Sequence, residues 1–381
     1  MKVPLLDLKK QYQAVRDEIV SAAVEVFESQ YFIGGPRVEE FEGLMADYCG
    51  CGYAVGVSSG SDALLISLME AGIGHGDMVI TTPYTFFATV GAVARVGAIP
   101  VFADIDKHTY NIDPVKIKEL VKSLDKDRLS KLKAILPVHL FGQCADMEPI
   151  LNIAEEYGLI VIEDAAQAIG AEYRFSDGTI KRAGAMGDYG CFSFYPTKNL
   201  GAFGEGGMVT CNCEDTSNRL KTFRNHGDIK RYQHQYVGGN FRLDALQAAI
   251  LTIKLKHLDD WSNGRIRNAG LYRELLESNS MLAKILPENR EVRHIYNQFV
   301  IDAGEKRDSL MEYLREKGVG CEVYYPIPQH MQECFRDLGY CEGDFPASED
   351  AAKKSLAIPV YAELTEDQIR YVVDILSDFY S

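Results

Sequence analysis

The chain has 381 residues, 46% hydrophobic and 25% charged, which allows a sizeable core and argues against disorder. Its 40 Lys and Arg against 55 Asp and Glu give a net charge of −15. That balance argues against nucleic acid or an anionic membrane as the partner of the surface as a whole, although a local basic patch for a small anion stays open. The nine cysteines are scattered without a Cys-x-x-Cys, and Cys49-Gly-Cys51 and Cys211-Asn-Cys213 are too tight for ordinary zinc knuckles. Free thiols in a reducing cytoplasm are the expectation. The charged N-terminus lacks a signal-peptide apolar region, and no run approaches the roughly 20 apolar residues of a membrane span.

Helical spacing is expected over residues 9–29, on Tyr12, Val15, Ile19, Ala22, Ala23 and Val26. Turn residues at 31–36 interrupt it, and a second helix is expected over 38–48. Short apolar runs then alternate with amphipathic helices. Strands are expected at 53–57, 78–81, 100–103, 132–138 and 159–163, and helices at 62–71, 86–96, 114–123 and 147–157. This alternation predicts an α/β fold with a mostly parallel sheet and helices on both faces. The run 189–194 reads as a further buried strand, and 208–211 as a strand closing the sheet. A helix is expected at 216–224, then a loop over 225–240 without helix or strand periodicity. A single long helix is expected at 243–261. A domain change falls there, giving a large domain over 1–255 and a smaller α+β domain over 256–381. The second contains expected helices at 265–276, 306–317 and 366–379 and strands at 297–301 and 320–324.

In open α/β sheets, ligands gather at the carboxyl ends of the strands. Ser58-Ser59-Gly60-Ser61 lies between a strand and a helix, where free N–H groups and the helix dipole favour an anion. An N-cap explains one of those serines equally well. Asp164 ends the apolar run IVIEDAAQ. It either caps the following turn or pairs with a protonated heterocyclic nitrogen, which would make the ring an electron sink of the pyridoxal-phosphate kind. Gln167 could hydrogen-bond a ring substituent. Phe86 and Phe87 read as core residues, or one of them as a platform for a planar ring. Lys198, just past the 189–194 strand and before Gly201, Gly204, Gly206 and Gly207, is by itself a solvated loop lysine or a desolvated nucleophile toward carbonyls. His139 and His226 carry weak signals. No metal motif, Walker motif or Gly-x-Ser-x-Gly occurs.

Seven segments occur in a specific order: SSGSDAL (58–64), PYTFFAT (83–89), PVHLFGQCADM (137–147), VIEDAAQAIGA (161–171), CFSFYPTKNLGAFGEGG (191–207), GGNFRLDALQAAIL (238–251) and YYPIPQHMQ (324–332). Together they resemble the DegT/DnrJ/EryC1/StrS family of pyridoxal-phosphate-dependent nucleotide-sugar aminotransferases, over essentially the whole chain. The resemblance implies the fold-type-I architecture, with a mostly parallel sheet of the seven-stranded type. It also implies pyridoxal 5'-phosphate bound covalently to Lys198, with Asp164 on the pyridine nitrogen, Gln167 on the ring oxygen and Phe86 on the ring face. Ser59, Gly60, Ser61 and Ser193 would hold the phosphate. The residue matching Asn240 would reach the phosphate from the neighbouring subunit, which implies a homodimer with shared active sites. Arg242, Tyr324, Tyr325 and His330 would lie on the substrate side, although Arg242 also reads as a structural arginine. The family's usual Gly-Thr-Asp-Ala reads Gly60-Ser61-Asp62-Ala63 here, which keeps the hydroxyl. The family's dehydratases carry histidine at the lysine position, so Lys198 favours transamination. The implied reaction moves an amino group from an amino acid, L-glutamate by resemblance, to a UDP- or dTDP-linked ketosugar, loosely at C3. A dehydratase on nucleotide sugars and a non-catalytic regulatory or binding member of the same fold are the rival readings.

Overall fold

The computed structural model describes residues 1–278, 282, 284–285 and 292–381. Helix α1 (Leu8–Ser29) buries Val15, Ile19, Ala22 and Val26, and the Asp7 carboxylate caps it by accepting from the amides of Lys9 and Lys10. Gly34 and Gly35, at φ 64° and 75°, turn the chain into α2 (Pro36–Cys49), which opens on a proline suited to a first helical position. There follow β1 (Tyr53–Val57), α3 (Gly60–Glu70), β2 (Met78–Thr81), α4 (Phe87–Arg95), β3 (Ile99–Phe102), α5 (Pro114–Ser123), α6 (Lys126–Lys131), β4 (Leu132–Ile135), α7 (Met147–Tyr157) and β5 (Ile160–Asp164). A small hairpin, β6 (Glu172–Arg174) and β7 (Ile180–Arg182), precedes β8 (Tyr189–Ser193), β9 (Gly207–Cys211) and α8 (Glu214–Phe223).

The seven-stranded sheet has the order β3-β2-β4-β5-β8-β9-β1. From β3 to β8 every pairing is parallel, and β9 alone runs backward between β8 and β1. The buried faces of β2 and β9 explain their unbroken apolar runs, since helices cover both sides of such a sheet. The fold is the α/β class expected from the alternation. The reversed β9 matters for the site. Its first residue, Gly207, is in register with the last residues of both neighbours, Val57 and Ser193.

Beyond the sheet the chain departs from expectation at three points. Residues 225–240 are not wholly irregular: β10 (Asp228–Lys230) and β11 (Gln233–His234) pair antiparallel. The single helix expected over 243–261 is two, α9 (Ala245–Leu255) and α10 (Leu258–Glu277). The break is a change of core. Ala245, Ala248, Ala249 and Leu251 of α9 join the core of the sheet, whereas Ala269, Tyr272 and Leu276 of α10 enter a second core. The strand expected at 320–324 is reduced to one bridge, Glu322 with Ala357. There the chain leaves the ladder so that the Tyr324 carbonyl can accept the Tyr84 hydroxyl at 2.7 Å.

The second core lies around β14 (Phe299–Asp302), which comes after the short strands β12 (Lys284–Ile285) and β13 (Val292–Arg293). It includes Leu310 and Leu314 of α11 (Arg307–Glu316), and Leu356 and Ile358 of β15 (Ser355–Ile358), which comes after α12 (Pro346–Lys354). Val372 and Leu376 of α13 (Glu366–Tyr380) complete it, and Val3, from before α1, is buried in it too. Among the described residues no helix is long and apolar enough to cross a membrane. All nine cysteines are free.

Candidate active site

The carboxyl ends of β1, β5 and β8 open on a cavity of about 500 Å³. Ser59, Gly60, Ser61, Phe86, Asp164, Gln167, Ser193, Lys198, Tyr324 and Tyr325 all line it. Residues from both halves of the chain are thus gathered, because parallel strands deliver their last residues to one edge.

One wall is a cradle of close backbone approaches. A Cβ on Gly60 would lie 2.6 Å from the Cβ of Ser193, and one on Gly207 would lie 2.4 Å from the Ser59 carbonyl carbon. Only glycine lets these segments meet. Ser59 is the N-cap of α3, its hydroxyl accepting from the Asp62 amide at 3.1 Å. The first-turn amides of α3 therefore face the cavity with the positive end of the helix behind them.

Lys198 stands in the turn after β8, with its amide donating to the Tyr195 carbonyl at 2.8 Å. Burial lowers its pKa to about 8, against the opposing pull of Asp164. The next residue, Asn199, anchors this turn: it donates to the Ile295 carbonyl and accepts at 2.8 Å from Asn297. On the far side Gln247 of α9 clamps both the amide and the carbonyl of Phe203.

Asp164 is 5% exposed. Its Oδ2 accepts from Thr89 at 2.8 Å and its Oδ1 from the Ala166 amide at 3.2 Å. Burial raises its pKa, opposed by those hydrogen bonds and by Lys198. Behind it His139 meets Glu163, 2.8 Å apart and both fully buried, and its Nδ1 accepts from the Ala145 amide. His139 therefore organises the strand ends rather than the cavity. Gln167 is committed at both ends, accepting from the Phe141 amide at 2.7 Å and donating to the Tyr325 hydroxyl at 2.9 Å. Phe86 projects into the cavity, 57% exposed, tilted against Tyr325 at 5.9 Å.

Three sequence-predicted residues lie outside this lining. His330 is 2% exposed and pairs with Glu349 at 3.1 Å, against the ring of Phe345. It was expected on the substrate side; here Pro328 leads the chain into a short 3-10 turn (Gln329–Met331) in which His330 is buried. Asn240 bridges Asn225, and Arg242 bridges Val57; neither lines the cavity of its own chain. Sequence reasoning missed the lining residues Thr85, Tyr195, Thr197, Glu205, Asn297 and Gln298, and also Thr89, fully buried behind Asp164. Among these, Thr85 and Thr89 fall inside PYTFFAT, where helical spacing masked their hydroxyls.

A half-buried lysine of lowered pKa, a buried carboxylate and a glycine-walled cradle in one cavity fit a phosphorylated heterocycle bearing an aldehyde and a basic ring nitrogen. Residues 13–377 match the DegT/DnrJ/EryC1/StrS aminotransferase family, and the chain belongs to that family. It is 46% identical to the pleiotropic regulatory protein of Geobacillus stearothermophilus, over 100% of this chain and 99% of that one. It is 37% identical to the UDP-N-acetyl-3-dehydro-alpha-D-glucosamine 3-aminotransferase of Acidithiobacillus ferrooxidans, over 98% of this chain and 97% of that one. Among solved structures it superposes on S. venezuelae DesV, in complex with a ketimine intermediate, with a TM-score of 0.93. That pair is 36% identical and covers 100% of this chain and 99% of the other.

Proposed function

We propose that this chain transfers an amino group from an amino acid, L-glutamate, to carbon 3 of a UDP- or dTDP-linked ketosugar in the cytoplasm, for surface polysaccharide or deoxyaminosugar synthesis. The observation that carries the reading is Lys198, with its pKa lowered to about 8, in one cavity with the buried Asp164. Pyridoxal phosphate, when bound, supplies an aldehyde for the lysine and a conjugated ring that accepts electron density from the substrate carbon.

The chain's own residues do the rest. The α3 amides, Ser61 and Ser193 hold the phosphate. Asp164 keeps a positive charge on the ring nitrogen, because a buried anion favours a cation beside it. Phe86 supplies a ring face. Lys198 would take the proton from the donor's α-carbon as general base and hold it for return as general acid. Its lowered pKa suits it to both directions near neutral pH. Tyr324 and Tyr325 line the side on which a sugar enters. Asn240 acts across a homodimer interface on the partner's phosphate, and Arg242 serves the substrate side. The large unit, residues 1–255, holds the cofactor, and the small unit, residues 256–381, closes the substrate side.

The test is transfer of label. With [15N]glutamate and a panel of 3-keto and 4-keto nucleotide sugars, the amino product should carry 15N. An unlabelled or merely dehydrated product would overturn the reading. The regulatory name of the G. stearothermophilus relative favours a second reading, in which the site binds but does not turn over. Conversion of the bound cofactor by glutamate in a single turnover separates the two.

A further inference from the structure

The polar groups behind Asp164 form a chain with a fixed direction. An ionised carboxylate cannot donate, so the Thr89 hydroxyl donates to Asp164 Oδ2. With its one proton used, Thr89 Oγ1 accepts from Thr85 Oγ1, 2.8 Å away. Both threonines are buried, Thr85 at 1% and Thr89 at 0% exposure. Thr85 is itself held: its carbonyl accepts from Gln329 Nε2 at 2.8 Å, and the Gln329 amide donates to the Pro83 carbonyl at 2.7 Å.

The charged and titratable groups facing Asp164 from the packed elements are few. Lys198 comes from the turn after β8 and His139 from the end of β4. Tyr325 comes from the small-unit side, and Cys191 from β8. His139 is neutral by geometry: its Nδ1 accepts from Ala145, so its proton sits on Nε2 toward Glu163. Tyr325 and Cys191 are held protonated by burial. Lys198 is therefore the one cation among these groups, and it is the group whose charge changes in the proposed reaction.

We propose that Thr89, oriented by Thr85, is a positioning residue that keeps Asp164 anionic and in the single rotamer that faces the cavity. Thr89 supplies a neutral donor that persists whether Lys198 is charged, neutral or covalently engaged. The assignment rests on the reading of Asp164 as the partner of a protonated ring nitrogen.

The experiment has two arms. In the cofactor-free protein with 13C-labelled aspartate, the Asp164 carboxyl resonance, assigned with Asp164→Asn, is titrated in wild type, Thr89→Val and Thr89→Ser. Thr89→Val should raise the midpoint by about one pH unit, the scale of one lost hydrogen bond to a buried charge, and Thr89→Ser should restore it. In the second arm, 15N on the ring nitrogen of added pyridoxal phosphate reports its protonation, which Thr89→Val should lose at lower pH than wild type. A folded Thr89→Val protein titrating at the wild-type midpoint overturns the proposal. If Thr89→Val does not fold, Thr85→Val should shift the midpoint in the same direction by less, and no shift overturns the proposal. A wild-type ring nitrogen that is never protonated overturns the pairing with Asp164 instead, while the first arm still judges Thr89.

Discussion

Gly60 and Ser193, far apart in the sequence, touch so closely that a methyl group on Gly60 would sit 2.6 Å from the Ser193 side chain. The contact joins the start of α3 to the end of β8 and forms the anion cradle. Gly60→Ala costs no backbone strain, because the residue is already helical. It does force the two segments apart, an overpacking cost of about 1–3 kcal/mol. Absorbance titration with pyridoxal phosphate should show affinity falling at least about tenfold while the far-UV spectrum stays native.

Lys198→Ala should abolish the visible absorption that marks a lysine-bound aldehyde and lower turnover by about 10²–10⁴-fold, the usual range for a lost proton-transfer group. Wild-type spectra with added cofactor provide the reference. An unchanged band in the variant would assign the covalent bond to another lysine.

In the cofactor-free protein the buried Lys198 and Lys254 should each add stability as pH rises from about 8 to 10, against buried thiols such as Cys49 and Cys191, whose values burial pushes up and which work the other way. Lys198 and Lys254 both have pKa values lowered by burial to about 8 from the ordinary 10.5. Below pH 8 both folded and unfolded chains carry these protons, so the cost of the buried charges is fully present. Between the folded and unfolded values the unfolded chain binds more protons, so raising the pH favours folding. Above pH 10 tyrosines such as Tyr48 and Tyr84, whose folded values are pushed up by burial, work the same way as the thiols. Relative to wild type, the urea midpoint across this window should change with pH by one lysine's positive contribution less in Lys198→Met and in Lys254→Met.

Asn240 lies outside the cavity of its own chain, so subunit mixing should reveal whether it serves the partner. Lys198→Ala and Asn240→Ala proteins, each weakly active alone, should regain activity when dissociated and reassembled together. One of the two sites in each mixed dimer then has both residues. Absence of any regain would remove Asn240 from the shared site.

Arg265 is 4% exposed, and its guanidinium donates to the carbonyls of Tyr296, Asn297 and Val360. Arg265→Met should destabilise the protein by about 3–5 kcal/mol, because buried acceptors are left without donors. Denaturant titration measures this directly.

Position made Asp164, Ser193 and Lys198 legible as candidates, and the family resemblance chose among their readings. Each stands at or just past the carboxyl end of an apolar run, and parallel strands bring such positions together. The α/β alternation was legible on the same grounds. Thr89 was not, because its partner Asp164 lies 75 residues away and its own neighbours read as an amphipathic helix. The break between α9 and α10 was hidden because the apolar spacing continues across it; only the change of packing partner distinguishes the two helices. His330 was read from its neighbours in YYPIPQH, but a side chain's facing inside an irregular segment depends on tertiary partners, here Glu349 and Phe345. Asn240 was read from the family resemblance alone, and within its own chain it bridges Asn225.

The reversal of β9 sets the reactive turn apart from every other loop at the carboxyl edge. The loops after β1, β2, β4 and β5 lead away from the sheet, so each has one end tied to a neighbouring strand's edge and the other free to adjust with the next element. The segment 194–206 instead begins and ends on the same rung, Ser193 beside Gly207. Gly201 packs against the Pro196 carbonyl within it, so it is a closed loop of fixed circumference. Its length is thus a geometric constant of the site. Insertions that the surface near Leu124 absorbs at small closure entropy would, in this loop, carry Lys198 out of reach of Asp164.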